Sequence, residues 1–453
     1  MALCFEIHPP MINYLWLALL LTGLITGVLT GHLEAVTAAT FEACKTAIMT
    51  IALPLSGIMA LWLGIMRLAE KSGMLEKLAS FLRPLLVRLF PDVPPDHPAM
   101  GSMVMNIAAN MLGLANAATP LGLRAMQDLQ SLNRRPETAT NAMCTFLAIN
   151  TSSVQLIPAT AVGILAAAGA IHPSSIIGTA MVATASSCIA GITAAKLLQR
   201  LPLFALPPYT LSEQQIFSQP STINPQPAII NQPSPFTKAL KNLSPLKKIV
   251  LFSFIGVFIY AAWKLVGTPR NTPIAPWVAI IEAISLLAIP FLIGFFPLYA
   301  FLRGVAVYEE FVEGAKEGFQ VALRIFPYLV AILVAIGIFR AAGGIDFLSH
   351  LLAPFLDLIG LPSQLLPLIL VRPLSGSAAT GLFAEIVKSA GPDSFISQLA
   401  GTILGSTETT FYVLAVYFGS VAIKRSRHAL AAGLIADTVG VAASLVICHF
   451  VLK

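Results

Sequence analysis

Arg372 and Glu408 are the residues whose chemistry the rest of the sequence has to explain. Arg372 opens the stretch Arg372-Pro373-Leu374-Ser375-Gly376-Ser377-Ala378-Ala379-Thr380-Gly381, which lies between long apolar runs. A guanidinium in hydrocarbon costs several kcal/mol unless it meets a counter-charge or water. It can serve as an anion-binding group, or it can close a structural salt bridge to Glu385, Glu408 or Asp437. Pro373 removes an N–H donor, and Gly376 and Gly381 loosen the backbone. Such a segment survives at membrane depth only when wrapped in protein or lining a cavity. Ser375, Ser377 and Thr380 join Arg372 as candidate substrate contacts.

Glu408 stands in Ser406-Thr407-Glu408-Thr409-Thr410, inside an otherwise apolar run. At about 100° per residue these side chains point all around a helix, so this turn is unwound or enclosed. A buried carboxylate is the natural group to couple proton or cation binding to transport. Ser406 and Thr409 are either substrate contacts or hydrogen-bonding glue between helices. Asn150-Thr151-Ser152-Ser153 with Gln155 is a matching uncharged turn, and Asn150 and Thr151 carry the same two readings. Asn106, Asn110, Asn116 and Thr119 lie in a second broken stretch around Gly113 to Pro120. They can bind a polar substrate or cap half-helices. Asp437 is either a second coupling carboxylate or a partner for Arg372 or Lys388. No catalytic residues are assigned: no phosphate-binding loop, no His-Glu-x-x-His pattern and no metal-spaced Cys/His set is present. Neither a metal nor a cofactor is expected. The five cysteines read as small core hydrophobes.

The elements that must hold these residues follow from composition. Of 453 residues, 57% are hydrophobic and only 11% are charged. Soluble domains carry about 25% charged residues, so the fold class is an all-α polytopic membrane protein. The net charge of +6 comes from basic residues between apolar runs, so a nucleic-acid partner is not implied. Apolar spans are expected at 11–30 (a retained helix rather than a signal peptide), 46–68, 140–168, 175–197, 248–267, 275–301, 318–340, 396–420 and 429–451. Residues 72–90, 100–118, 344–361 and 363–390 are too short or too interrupted, and read as half-helices or re-entrant segments. Arg303 to Glu317 reads as a charged helix on the membrane surface. Residues 203–247, rich in Pro, Ser, Gln and Asn, read as a flexible cytoplasmic linker between halves at 1–202 and 248–453.

The halves look duplicated. Pro54, Gly64 and Arg67 share their spacing with Pro327, Gly337 and Arg340. Gly73, Leu78 and Pro84 match Gly343, Leu348 and Pro354. Ala-Ala-Thr recurs at 117–119 and 378–380, and Thr151 falls on Thr407. Basic loops at 67–88, 124–135, 196–248 and 424–427 predict a cytoplasmic N-terminus, an outside C-terminus and about nine crossings. On that count the copies are inverted, an arrangement typical of secondary transporters.

The motifs carry a resemblance. Residues 46–198, with the stretch from Asn106 to Pro120, resemble spore maturation protein A. Residues 318–451, with Arg372 to Ala379 and Gly405 to Tyr412, resemble spore maturation protein B. Both belong to the nucleoside recognition, or Gate, group, so the resemblance implies two Gate-type repeats in a bacterial inner-membrane protein. A secondary transporter of a small polar or anionic solute, nucleoside-like solutes included, is the first expectation. A non-transporting scaffold for envelope or spore maturation, or a lipid translocator, is the alternative. The expected partners are the bilayer, a small-molecule substrate and a second copy of the chain in a homo-oligomer. An enzymatic role is not expected.

Overall fold

The computed structural model describes residues 11–113, 115–152, 155–204, 244–267, 275–343 and 360–452. A leading helix α1 (Met11–Leu29) precedes the first copy. That copy comprises α2 (Leu33–Lys71), α3 (Met74–Leu89), α4 (Pro98–Met111), α5 (Ala115–Ser131), α6 (Asn141–Ser152), α7 (Ala159–Ala167) and α8 (Ile176–Leu198). Helices α9 (Pro245–Gly267) and α10 (Pro276–Arg303) lead into the second copy. Its members are α11 (Val307–Ala341), α12 (Leu366–Val371), α13 (Gly376–Ala390), α14 (Phe395–Ser406), α15 (Thr410–Gly419) and α16 (Ala429–Val451). From α4/α12 onward the two copies run helix for helix. The segment facing α3 in that alignment, with Leu348 and Pro354, lies outside the described residues.

Among the described residues five helices (α2, α8, α9, α10 and α16) are long and apolar enough to cross a bilayer. The protein is a multi-pass membrane protein.

The register between matching helices fixes their relative direction. Gly64 faces Phe311, Gly314 abuts the backbone at Leu63 and Gly64, Gly318 abuts Met59, and Gly337 approaches Ala39. As numbering rises along α11 it falls along α2, so the pair is antiparallel. A Cβ at Gly314 or Gly318 would run into the α2 backbone. Lipid gives helices no hydrophobic drive to associate, so this close approach of small residues is what lets them pack. Helices α8 and α16 behave alike. Gly191 meets Ala436, Ser187 Oγ donates to Ala436 O at 2.9 Å, and Cys448 Sγ near the far end reaches Thr402 of α14 at 3.3 Å. Thr402 in turn shares a 2.9 Å hydrogen bond with Thr179, near the start of α8. The repeats are therefore inverted.

Several boundaries differ from those the sequence suggests. The span expected at 46–68 begins at Leu33: Glu34, Glu42 and Lys45 depress its hydropathy, yet the helix runs on through a π-helical stretch at Thr46–Ala52. The stretch Arg303 to Glu317 is not a separate surface helix. From Val307 on it is the start of α11, and Arg67 of α2 binds Glu310 (2.9 Å) and Glu317 (2.6 Å). The spans expected at 140–168 and 396–420 are each split, because helix ends at Ser152 and Ser406 and resumes at Ala159 and Thr410. Helix α9 starts at Pro245, inside the stretch expected as linker, and Lys247 Nζ donates to Leu302 O at 2.7 Å. The rest of that expected linker, residues 205–243, lies outside the described residues.

The halves are sewn together at one end by Arg427. It donates to Phe204 O from Nε (3.0 Å) and Nη2 (2.8 Å), and to Ala139 O and Asn141 Oδ1 from Nη1. His428 is fully buried beside it, edge-on to Phe204 at 5.9 Å, and stands at the first position before α16 without a side-chain capping bond. Burial, with Arg427 and Lys196 nearby, pushes its imidazole down to about 4.

Candidate functional site

Each copy builds the same backbone device. Helices α4 and α5 form a hairpin, with Ser102 Oγ on Asp128 (2.6 Å) near its base and Asn106 Nδ2 on Ala118 O (2.7 Å) nearer its tip. Gly113, at φ +74°, turns the tip. The tip meets the break after α6, where Leu156 N donates to Met111 O at 3.1 Å. In the second copy α12 and α13 form the hairpin. Pro373 follows α12, and Ser375 caps α13 by accepting from Ala378 N at 3.2 Å. This tip meets the break after α14, where Phe411 N donates to Pro373 O at 3.0 Å.

The two breaks touch each other. Glu408 N donates to Thr151 O at 2.9 Å, and Gln155 Nε2 donates to Glu408 Oε1 at 3.1 Å. Backbone freed by one break is thus satisfied by the other, as membrane depth demands. Gly433 of α16 packs against both Thr151 and Thr410. Two half-helix pairs and two hairpin tips converge on one polar centre.

Arg372 is 7% exposed and lies inside this centre. Its Nη2 donates to Leu404 O at 2.9 Å and to Thr407 O, and its Nε to Thr407 Oγ1 at 3.3 Å. The guanidinium therefore sits at the C-terminal end of α14, where unpaired carbonyls and the negative end of the dipole favour a cation. Glu408 Oε2 lies 3.7 Å from Nη2, with its side chain 29% exposed. Of the acids considered as partners, Glu408 is the one in ion-pair contact with Arg372. Lys388 Nζ instead donates to Thr46 Oγ1 at 2.8 Å, and Asp437 Oδ2 accepts from Thr410 Oγ1 at 2.6 Å.

The remaining candidates divide into those that join the centre and those that do not. Thr409 is buried, its hydroxyl over Gly376. Ser377 is half-buried in the first turn of α13, and Thr380 Oγ1 is spent on Gly376 O at 2.9 Å. Ser406 pairs with Ser444 of α16 at 3.0 Å, a helix-packing role. Thr151 Oγ1 bonds back to Ala148 O at 3.1 Å, although its carbonyl serves the break. Asn110 Nδ2 donates to Asn150 Oδ1 at 3.0 Å, and Asn150 Nδ2 to Phe146 O at 2.9 Å. Thr119 is half-buried in α5, and the side chain of Asn116 lies outside the described residues.

Tyr417 is the residue that reading the sequence missed. It reaches from α15 of the second copy into the first copy's hairpin. Its hydroxyl lies 3.4 Å from both Asn106 Nδ2 and Asn150 Oδ1. A Cβ at Gly122 would collide with that hydroxyl, so this glycine makes room for the ring. The available signal was its spacing: Thr410, Leu414 and Tyr417 share one helical face.

A family profile described as "Gate: Nucleoside recognition" matches residues 52–169 and again residues 322–424. Spore maturation protein B of Bacillus subtilis (strain 168) is 50% identical over 168 residues, 37% of this chain and 94% of that protein. Spore maturation protein A of the same organism is 43% identical over 182 residues, 40% of this chain and 92% of that protein. The chain belongs to the Gate, or nucleoside recognition, family. The two relatives, each matched almost in full, are what a fusion of both would give. Inner membrane protein YjiG of Escherichia coli (strain K12) is 30% identical over 81 residues, 18% of this chain and 53% of that protein. The two Gate segments run from α2 to just past α7 and from α11 to just past α15. Each contains one hairpin and one break, so the family region and the polar centre coincide.

Proposed function

We propose that this Gate protein is a secondary transporter of a small polar or anionic solute, nucleosides among the candidates, in the bacterial inner membrane. The observation that carries the reading is the shared centre: two inverted copies place both hairpin tips and both breaks together around Arg372 and Glu408. Transporters of inverted-repeat architecture bind substrate where discontinuous helices meet. An anion entering the centre competes with Glu408 for the Arg372 fork, and the released Glu408 takes up a proton. Solute and proton then move together. Asn110, Asn150 and Tyr417 supply neutral hydrogen-bonding groups on the other side of the centre. The basic loops favour a cytoplasmic N-terminus and an outside C-terminus.

One observation favours a non-transporting scaffold: the bonds from Arg372 to Leu404 and Thr407 are those of a structural helix cap. Thermal shifts of the detergent-purified chain with uridine, succinate and inorganic phosphate separate the readings. A bound solute raises the apparent melting temperature. The transporter reading expects at least one shift in wild type that Arg372→Lys, which lacks the bidentate fork, reduces or abolishes. Equal shifts in both proteins, or none with any of the three solutes, favour the scaffold.

A further inference from the structure

The polar centre is out of charge balance as its ionisable side chains stand. Arg372 contributes one positive charge, whereas Glu408 and Asp437 contribute two carboxyl groups. Glu408 has the ion pair with Arg372 at 3.7 Å, the Gln155 amide at 3.1 Å, and partial exposure. Asp437 has far less. It is 6% exposed in the middle of α16, and its only hydrogen bond among the described residues is the 2.6 Å contact between Oδ2 and the Thr410 hydroxyl. Its Oδ1 is buried without a hydrogen-bond partner.

Helices α6, α8, α10, α14 and α15 pack around α16, and among the described residues the charged groups that act on Asp437 are Arg372 and Glu408. The cation is already engaged by Glu408 and by the carbonyls of Leu404 and Thr407. An ionised carboxylate away from water, with one bare oxygen and no cation of its own, carries an uncompensated desolvation penalty. A neutral acid does not, and its O–H has an acceptor at hand in Thr410 Oγ1.

We infer that Asp437 is a resident proton-binding site: one proton taken from solvent sits on Oδ2, and the 2.6 Å hydrogen bond, which an ionised Asp437 would accept from the Thr410 hydroxyl, then runs the other way, from Oδ2–H to Thr410 Oγ1. Arg372 and Glu408 are then the charge pair of a neutral centre. The assignment concerns the resting protein and does not depend on transport. If the transporter reading also holds, the two carboxyls divide the work, with Glu408 exchanging its proton during turnover and Asp437 keeping its own.

Infrared difference spectra of the detergent-purified full chain, recorded between neutral and alkaline pH without any solute, test this. Wild type is expected to show a protonated-carboxyl C=O band at neutral pH. Asp437→Asn should remove that band, and Glu408→Gln should retain it. In wild type grown on carbon-13-labelled aspartate the band should shift, whereas labelled glutamate should leave it in place. The labelling arm decides the matter even if Asp437→Asn does not fold. A band undiminished in Asp437→Asn, a band that follows the glutamate label, or no such band in wild type would each overturn the proposal.

Discussion

The two hairpins share a backbone plan and differ in charge. In the first copy, the tip ends in Met111 and Gly113, the break carries Gln155, and the side chains that converge are the amides of Asn106, Asn110 and Asn150. In the second, the tip presents Arg372 and the break presents Glu408. Both obey the demand that unwound backbone at membrane depth be satisfied by protein. One satisfies it with neutral hydrogen bonds, the other with a buried guanidinium paired to a partly exposed carboxylate. The difference teaches that the break is an architectural device, and that the chemistry placed on it is a separate choice.

The largest expected effect comes from removing the charge on one side only. Arg372→Ala leaves Leu404 O, Thr407 O and Glu408 without their cation, and should destabilise the fold by roughly 3–5 kcal/mol. The matching change in the neutral copy, Met111→Ala, should cost only about 1 kcal/mol. Denaturation in detergent compares the two, and equal losses would erase the contrast between the tips.

A second effect tests the seam where the copies join. His428 is neutral in the folded protein down to about pH 4, but in the unfolded chain it protonates near its ordinary value of 6.5. The folded state binds fewer protons in that window, so stability falls as pH drops from about 6.5 to about 4, by roughly 2–3 kcal/mol in all. His428→Phe should flatten this part of the pH profile. An unchanged slope would show that the imidazole is not sealed at the seam.

Smaller effects probe Tyr417, a side chain of the second copy that enters the neutral one. Gly122→Ala places a methyl group where the Tyr417 hydroxyl lies, and overpacking of this kind costs roughly 1–3 kcal/mol. Tyr417→Phe removes a weak hydroxyl bridge between Asn106 and Asn150 and should cost about 1 kcal/mol. The double variant should lose less than the sum of the two, because the residues are in contact. Strict additivity would place Tyr417 away from Gly122.

Much of the architecture was legible in the sequence because membrane depth permits few backbones. Pro373 with Gly376 and Gly381 cannot stand as a helix in lipid, and the recurrence of Ala-Ala-Thr pointed to a second such segment. The inversion followed from loop charge, and the register of Gly314 and Gly318 on α2 bears it out. The polar runs at 406–410 and 150–155 both stand out in the sequence as matching turns, yet hydropathy carries the expected spans 396–420 and 140–168 straight through them. Helix is interrupted in both. The start of α2 at Leu33 was obscured because Glu34, Glu42 and Lys45 lower the hydropathy of a stretch that tertiary packing keeps helical. Contacts between copies were the hardest to foresee. Nothing local to Tyr417 says that it enters the other half, and nothing local to Thr410 says that its hydroxyl meets Asp437.

Uptake of labelled uridine, succinate and phosphate into proteoliposomes under an inwardly directed proton gradient tests the shared centre most directly. Wild type should accumulate at least one of these solutes above empty vesicles, and Glu408→Gln, still folded, should lose the gradient-driven part. Accumulation of none by wild type, or equal accumulation by Glu408→Gln, would contradict a transport role for the place where the two copies meet.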